Sequence, residues 1–298
     1  MADTTRIKGL PVTGGLPEKA LLQKPVFVDS NSGNSGNTGK DPDRPVDSIS
    51  NAFLLNKVAA NGLIIVAPGH SETVTAANGI LCDIAGVHVK GYGEGAARPT
   101  INFTTVVGAD IEIDAANITF ENLYFDATGI DALTGPIDVD AAYFTLRNCE
   151  VLLADSGGQC SDFLVGDANA DYLLVKDCIF RASTDAGPQS AIQVVGSDSP
   201  MILNNRIYGD FAASPFENET TACTRVNISD NKMDNYNAND FCITLVATTD
   251  GDIADNRLRI ATNGQTSWIT PTNDCSLYEN YGVNADSETG MLIGTASS

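Results

Sequence analysis

One eight-residue phrase recurs down this chain: VHVKGYGE (87–94), ITFENLYF (118–125), FTLRNCEV (144–151), LLVKDCIF (173–180), MILNNRIY (201–208), VNISDNKM (226–233), GDIADNRL (251–258) and CSLYENYG (275–282). Its third position holds Val89, Phe120, Leu146, Val175, Leu203, Ile228, Ile253 and Leu277, at steps of 31, 26, 29, 28, 25, 25 and 24 residues. Two places on stand Gly91, Asn122, Asn148, Asp177, Asn205, Asp230, Asp255 and Glu279, and three beyond that an apolar residue returns at Phe125, Val151, Phe180, Tyr208, Met233 and Leu258. Alternation of apolar and polar residues is a strand signal. Asn and Asp tolerate the left-handed backbone of a tight corner and hydrogen-bond it locally. Each phrase therefore reads as strand, corner, strand.

A period near 27 residues with no helical spacing is too short for a propeller blade and fits one coil of a solenoid. A single coil cannot bury its own inner face, so stacked coils must form one continuous core. The expected fold is all-β: a single-stranded, right-handed parallel β-helix of about ten coils. Like residues should stack as ladders inside it, Cys149 on Cys178 and Asn231 on Asn256 on Asn280. A second set of alternating strands, DIEID (110–114), PIDVD (136–140), FLVGD (163–167), AIQVV (191–195) and CITLV (242–246), precedes the phrase in several coils. There Glu112, Asp114, Asp138 and Asp140 should point outward, side by side.

The β-helix domain is expected to span 25–298. It opens with an edge strand, PVFVDS (25–30), and a loop rich in Gly, Asn and Pro (30–45). A short capping helix near 47–58 follows, started by Asp47 or Ser48, with Ile49, Ala52, Phe53 and Leu54 on its buried face. An open solenoid end exposes core and strand edges, which such a cap covers. Residues 1–24 have neither strand nor helix period and read as an extended basic N-terminal arm. Their Arg6, Lys8, Lys19 and Lys24 outweigh Asp3 and Glu18 by +2, so the remaining residues carry −23 of the formal −21.

That charge excludes wrapping nucleic acid or lying on an anionic membrane, because the field of the column repels both. No apolar run approaches the roughly 18 residues of a membrane span, and the N-terminus lacks a hydrophobic leader. The seven cysteines include no C-x-x-C pair and read as small buried hydrophobes.

The segments FVDSNSGNSGNTGKDPDRPVDSISNAF (27–53) and LIIVAPGHSETV (63–74), followed by the repeats, resemble the pectate-lyase-like β-helix superfamily. The order of strand, cap and coil, and the ending at 261–295, look similar to tailed-phage virion proteins. The resemblance implies a virion structural protein, assembled in the host bacterial cytoplasm, whose partner is the major capsid protein or another virion protein. It also implies a homotrimer of parallel columns. A head decoration or cement protein is the reading for so compact a chain. The alternative is a tail-associated, tailspike-like β-helix that binds or cleaves host polysaccharide.

Fold alone assigns no chemistry. The R-x-P-x-x-R string of pectate lyases is missing, Arg98-Pro99 stands isolated, no two aspartates are adjacent, and Arg6-Ile7-Lys8 lies in the arm. No catalytic residue and no cofactor are expected. Glu112, Asp114, Asp138 and Asp140 are weak candidates for calcium, since hard cations take clustered oxygens, against the plainer reading of a solvated acidic face. His70 and His88 read as surface residues, and Trp268 as packed in the last coils. The arm carries the most functional content: Arg6, Lys8 and Lys19 for charge, and Ile7, Leu10, Val12 and Leu16 for apolar contact, as an anchor that orders on binding.

Overall fold

The computed structural model describes residues 6–7, 10–11, 25–54, 57–104, 106–155, 158–182, 187–237, 241–261, 267–270, 274–284 and 291–293. It is a right-handed parallel β-helix of about eight turns with three sheets. Sheet 1 has ten strands, running from Val26–Val28 through Leu63–Val66, His88–Gly91 and Thr119–Glu121 to Asp250–Ala254 and Asp274–Tyr278. Sheet 2 runs from Ser71–Val74 to Asn280–Val283, where the antiparallel strand Met291–Ile293 closes it. Sheet 3 has seven strands, from Ile80–Leu81 to Ile243–Thr244.

The inward ladder of sheet 1 is Val26, Ile64, Val89, Phe120, Leu146, Val175, Ile202, Ile228, Ile253 and Leu277, all buried. Phe125, Val151, Phe180, Ile207, Met233 and Leu258 form the corresponding ladder of sheet 2. In the middle coils the core is filled by edge-to-face phenylalanines: Phe120 lies 5.7 Å from Phe144, and Phe163 lies 5.6 Å from Phe125. In the fifth phrase the repeat is one residue out of step with the sequence reading. Ile202 and Ile207 point in, whereas Leu203 and Tyr208 point out. The left-handed corner residue is Asn204 (φ 53°), and Asn205 is the buried one. Two consecutive asparagines gave the strand pattern two equivalent registers.

Between sheets 1 and 2 the chain turns on single left-handed residues, among them Asn122, Asn148, Asp177, Asn204, Asp230, Asp255 and Glu279. The residue after each corner faces inward, giving the ladder Leu123, Cys149, Cys178, Asn205, Asn231, Asn256 and Asn280. Each asparagine Oδ1 accepts the backbone N–H of the rung before it, at 2.9 Å from Cys178 to Asn205 and 2.9 Å from Asn205 to Asn231. Its Nδ2 donates to a sheet-1 carbonyl, as Asn231 does to Ile202 at 2.7 Å. The polar ladder thus satisfies every corner amide from residue 178 to 256 inside an otherwise apolar core. All seven cysteines are buried and unbridged.

The cap is the six-residue helix Ile49–Leu54, shorter than the expected 47–58. Ile49, Ala52 and Phe53 are buried, but Leu54 is 69% exposed and does not belong to the buried face. Ser48 Oγ accepts the Asn51 amide at 3.1 Å. The other two capping bonds come from the first coil: Glu72 accepts Ile49 N at 2.7 Å and Ser50 N at 3.1 Å. At the far end Trp268 lies over Gly282, where a Cβ would stand 2.3 Å from the indole ring, and donates Nε1–H to Val283 O at 2.9 Å. In the arm, the strand Arg6–Ile7 pairs antiparallel with the strand Leu10–Pro11 as a short hairpin.

Candidate functional site

The outer face of sheet 3 carries acids in register. Glu112 pairs with Asp138, and the ladder continues through Val165 and Gln193 to Glu217. Burial against the flanking residues, then the charges of Asp138, Asp140 and Asp110, push the Glu112 carboxyl up to about 7. Burial, then Asp140 and Asp110, raise Asp138 to about 6. Burial, then the Asp167 charge, raises the Asp140 carboxyl as well, and Asp140 shares a hydrogen bond with Glu112. Asp114 stands exposed beyond the strand end. Among the described residues no three acids, histidines or cysteines, the calcium candidates Glu112, Asp114, Asp138 and Asp140 included, converge in metal-holding geometry.

Higher on the same face, Glu217 is only 1% exposed. Gln193 Nε2 donates to it at 3.1 Å, and it shares a hydrogen bond with Asp162, whose oxygens also accept Ser190 Oγ at 2.7 Å and Ser161 Oγ at 3.0 Å. Burial first, then the Asp162 charge, push Glu217 up to about 7. A carboxyl pair in contact cannot be doubly ionised without large repulsion, so this pair keeps a proton near neutrality.

Both histidines are buried, contrary to expectation. His88 does point outward from sheet 1, but its Nε2 sits 2.9 Å from Glu121 Oε2 and it is 7% exposed. Glu121 also binds Lys90 at 2.8 Å and Arg147 at 2.7 Å. The hydrogen bond from His88 first, then those from Lys90 and Arg147, hold the Glu121 carboxyl well below the usual range. Since Ser30 N donates to His70 Nδ1 at 2.9 Å, the neutral ring carries its proton on Nε2, 3.3 Å from Glu72. Both rings fasten neighbouring coils together.

A further feature lies where sheet 1 turns into sheet 2. The corner residues Asp230, Asp255 and Glu279 form one row, and Arg206, Lys232, Arg257 and Tyr281 form a parallel row in register on the outer face of sheet 2. A groove of about 700 Å³ runs along the two rows. It adjoins a hollow of about 410 Å³ walled by Leu258, Arg259 and Val283. The signal was present in the sequence as Asp-x-Lys at 230–232 and Asp-x-Arg at 255–257. Periodicity alone gave no reason to single it out from a solvated face.

Of the arm anchors, Arg6, Ile7 and Leu10 fall in the hairpin, and Lys8, Val12, Leu16 and Lys19 lie outside the described residues. Among the described residues the hairpin strands pair with each other and not with the column, whose first strand begins at Val26.

Among proteins of known structure, a rhamnogalacturonan lyase superposes with a TM-score of 0.50 at 11% identity, covering 87% of each chain. A pectate lyase gives a TM-score of 0.35 at 13% identity over 90% of this chain and 78% of its own. No family model matches the sequence, and no curated protein does. At these identities the likeness is one of fold, and the chain shares with the first of these proteins the parallel β-helix.

Proposed function

We propose that the chain is a non-enzymatic virion structural protein, a capsid decoration protein attached by residues 1–24 and assembled as a trimer of parallel columns. The observation that carries this reading is the arm: a segment of charge opposite to the column, in which, among the described residues, Arg6–Ile7 and Leu10–Pro11 pair with each other while the sheets of the column begin at Val26. A segment whose described strands lie outside the sheets of the column is free to serve attachment. The resemblance of strand, cap and coil order to tailed-phage virion proteins supplies the setting.

Deleting residues 1–24 tests it. The melting temperature of the isolated protein should stay within a few degrees, because the sheets start at Val26, while binding to particles stripped of the protein should be lost. Replacing Arg6, Lys8 and Lys19 by Ser should weaken docking in a salt-dependent way. Replacing Ile7, Leu10 and Val12 should weaken it at any salt. Truncated protein that occupies particles like wild type would refute the proposal.

The carboxyl row of sheet 3 favours a second reading. A protonated Glu112 beside ionised neighbours has the makings of a general acid for cleaving a glycosidic bond. Incubation with host capsular polysaccharide decides between the two. The structural reading expects no new reducing ends, and shortened chains lost in Glu112→Gln would support the tailspike-like alternative.

A further inference from the structure

Lys232 and Arg257 stand directly opposite each other on adjacent strands of sheet 2, with Arg206 on the rung before them. Like charges so placed repel across the ~4.8 Å between strands. In a chain with 38 acidic residues a cation row is easily neutralised. Other cations are: Lys90 and Arg147 bind Glu121, Arg98 and Arg181 bind Glu150, and Arg225 binds Asp198. Among the described residues, Lys232, Arg257 and Arg259 make no ion pair, and the corner acids Asp230, Asp255 and Glu279 have none either. Two rows of opposite sign thus run side by side and level along the column, each unmatched, with a groove of about 700 Å³ along them.

This pattern is self-complementary under one kind of operation. A rotation axis parallel to the column leaves heights unchanged, so it sets the acid row of one copy against the cation row of the next, rung for rung. We infer that this corner is the surface on which a second copy of the chain docks, parallel and in register, with Asp230 and Asp255 of one column facing Lys232 and Arg257 of its neighbour. Level rows close a ring instead of building a screw. Tyr281, 49% exposed at the end of the cation row, and the partly exposed Val283 in the adjoining hollow supply apolar contact that charges alone lack. That the ring has three members rests on the trimeric reading above; the surface itself does not depend on it.

Sedimentation equilibrium of the full chain at 50 and 500 mM salt tests the inference. Wild type should associate, less at high salt. Lys232→Asp with Arg257→Asp, and separately Asp230→Lys with Asp255→Lys, should each weaken association at least tenfold. The four-residue exchange of both rows should restore it. Lys at a left-handed corner strains the backbone, so Asp230→Asn with Asp255→Asn, which suits that geometry, is the second variant and should also weaken association. The inference is overturned if the reversed variants associate like wild type, or if the exchange fails to restore association. It is also overturned if Lys232→Asp with Arg257→Asp changes only retention on dextran sulfate and not mass, which would make the groove a polyanion site. A wild-type chain that is monomeric at 50 mM salt overturns both this inference and the trimer. A trimer indifferent to the substitutions overturns this inference alone.

Discussion

Asn231 shows what a single side chain does in this column. Its Oδ1 accepts two N–H groups of Asn205, at 2.9 and 3.1 Å, while its Nδ2 donates to Ile202 O at 2.7 Å and to Asn256 Oδ1 at 3.0 Å. Asn231→Ala would leave the Asn205 amide and the Ile202 carbonyl buried and unpaired, which costs about 2–4 kcal/mol in all. Cys149→Ala, on the apolar part of the same ladder, should cost closer to 1 kcal/mol, since it chiefly removes packing. Urea denaturation of the two variants checks the contrast, and equal losses would mean that the asparagines act only as filler. The ladder was legible because Asn231, Asn256 and Asn280 each follow an acidic corner residue in the phrase. Its first member was not, because Asn204 and Asn205 fit either side of the corner and only coil-to-coil pairing decides between them.

At the scale of elements, a six-residue helix is too short to hold itself together. It persists here because three of its first amides have acceptors, two of them on Glu72, some twenty residues away in sequence. Glu72→Ala should destabilise by about 1–2 kcal/mol, and the loss should be local first. Hydrogen exchange of amides 49–54 should speed up at least tenfold while those of the inward ladder residues Leu146, Val175 and Ile202 stay unchanged. If exchange rises uniformly, the cap is not a separable unit. The helix and its Ser48 start were readable because capping residues and buried apolar positions are local signals. Glu72 was hidden because it occupies a strand, where its sequence neighbours Ser71 and Thr73 say nothing of a helix. The outward direction of Glu112 and Asp138 was readable by alternation, but alternation does not carry the distance between carboxylates on neighbouring coils, which coil-to-coil pairing decides.

For the molecule as a whole, the carboxyls make stability depend on pH in an unusual direction. Glu112, Asp138 and Glu217 have folded values of about 7, 6 and 7, above those of an unfolded chain. The native state therefore holds these protons more tightly, so their stabilisation is complete below about pH 4 and is lost as pH rises through 6 to 7. Glu121 acts in the opposite sense. Held low by His88, Lys90 and Arg147, it stabilises the fold above the ordinary glutamate range, and that contribution is lost as pH falls. The two trends leave maximum stability near pH 5, with a decline to pH 8 that the growing negative charge reinforces. Glu217→Gln separates the causes, because the amide supplies permanently the hydrogen that the protonated carboxyl shares with Asp162. At pH 8 it should stabilise by roughly 1–3 kcal/mol, and at pH 5 it should change little. Asp114→Asn removes the same charge from an exposed position beyond the same face and should leave the decline intact. Urea midpoints measured from pH 5 to 8 give the answer: a flat or rising wild-type curve, or equal effects of the two substitutions at pH 8, would show that net charge and not the proton-sharing pair sets the dependence.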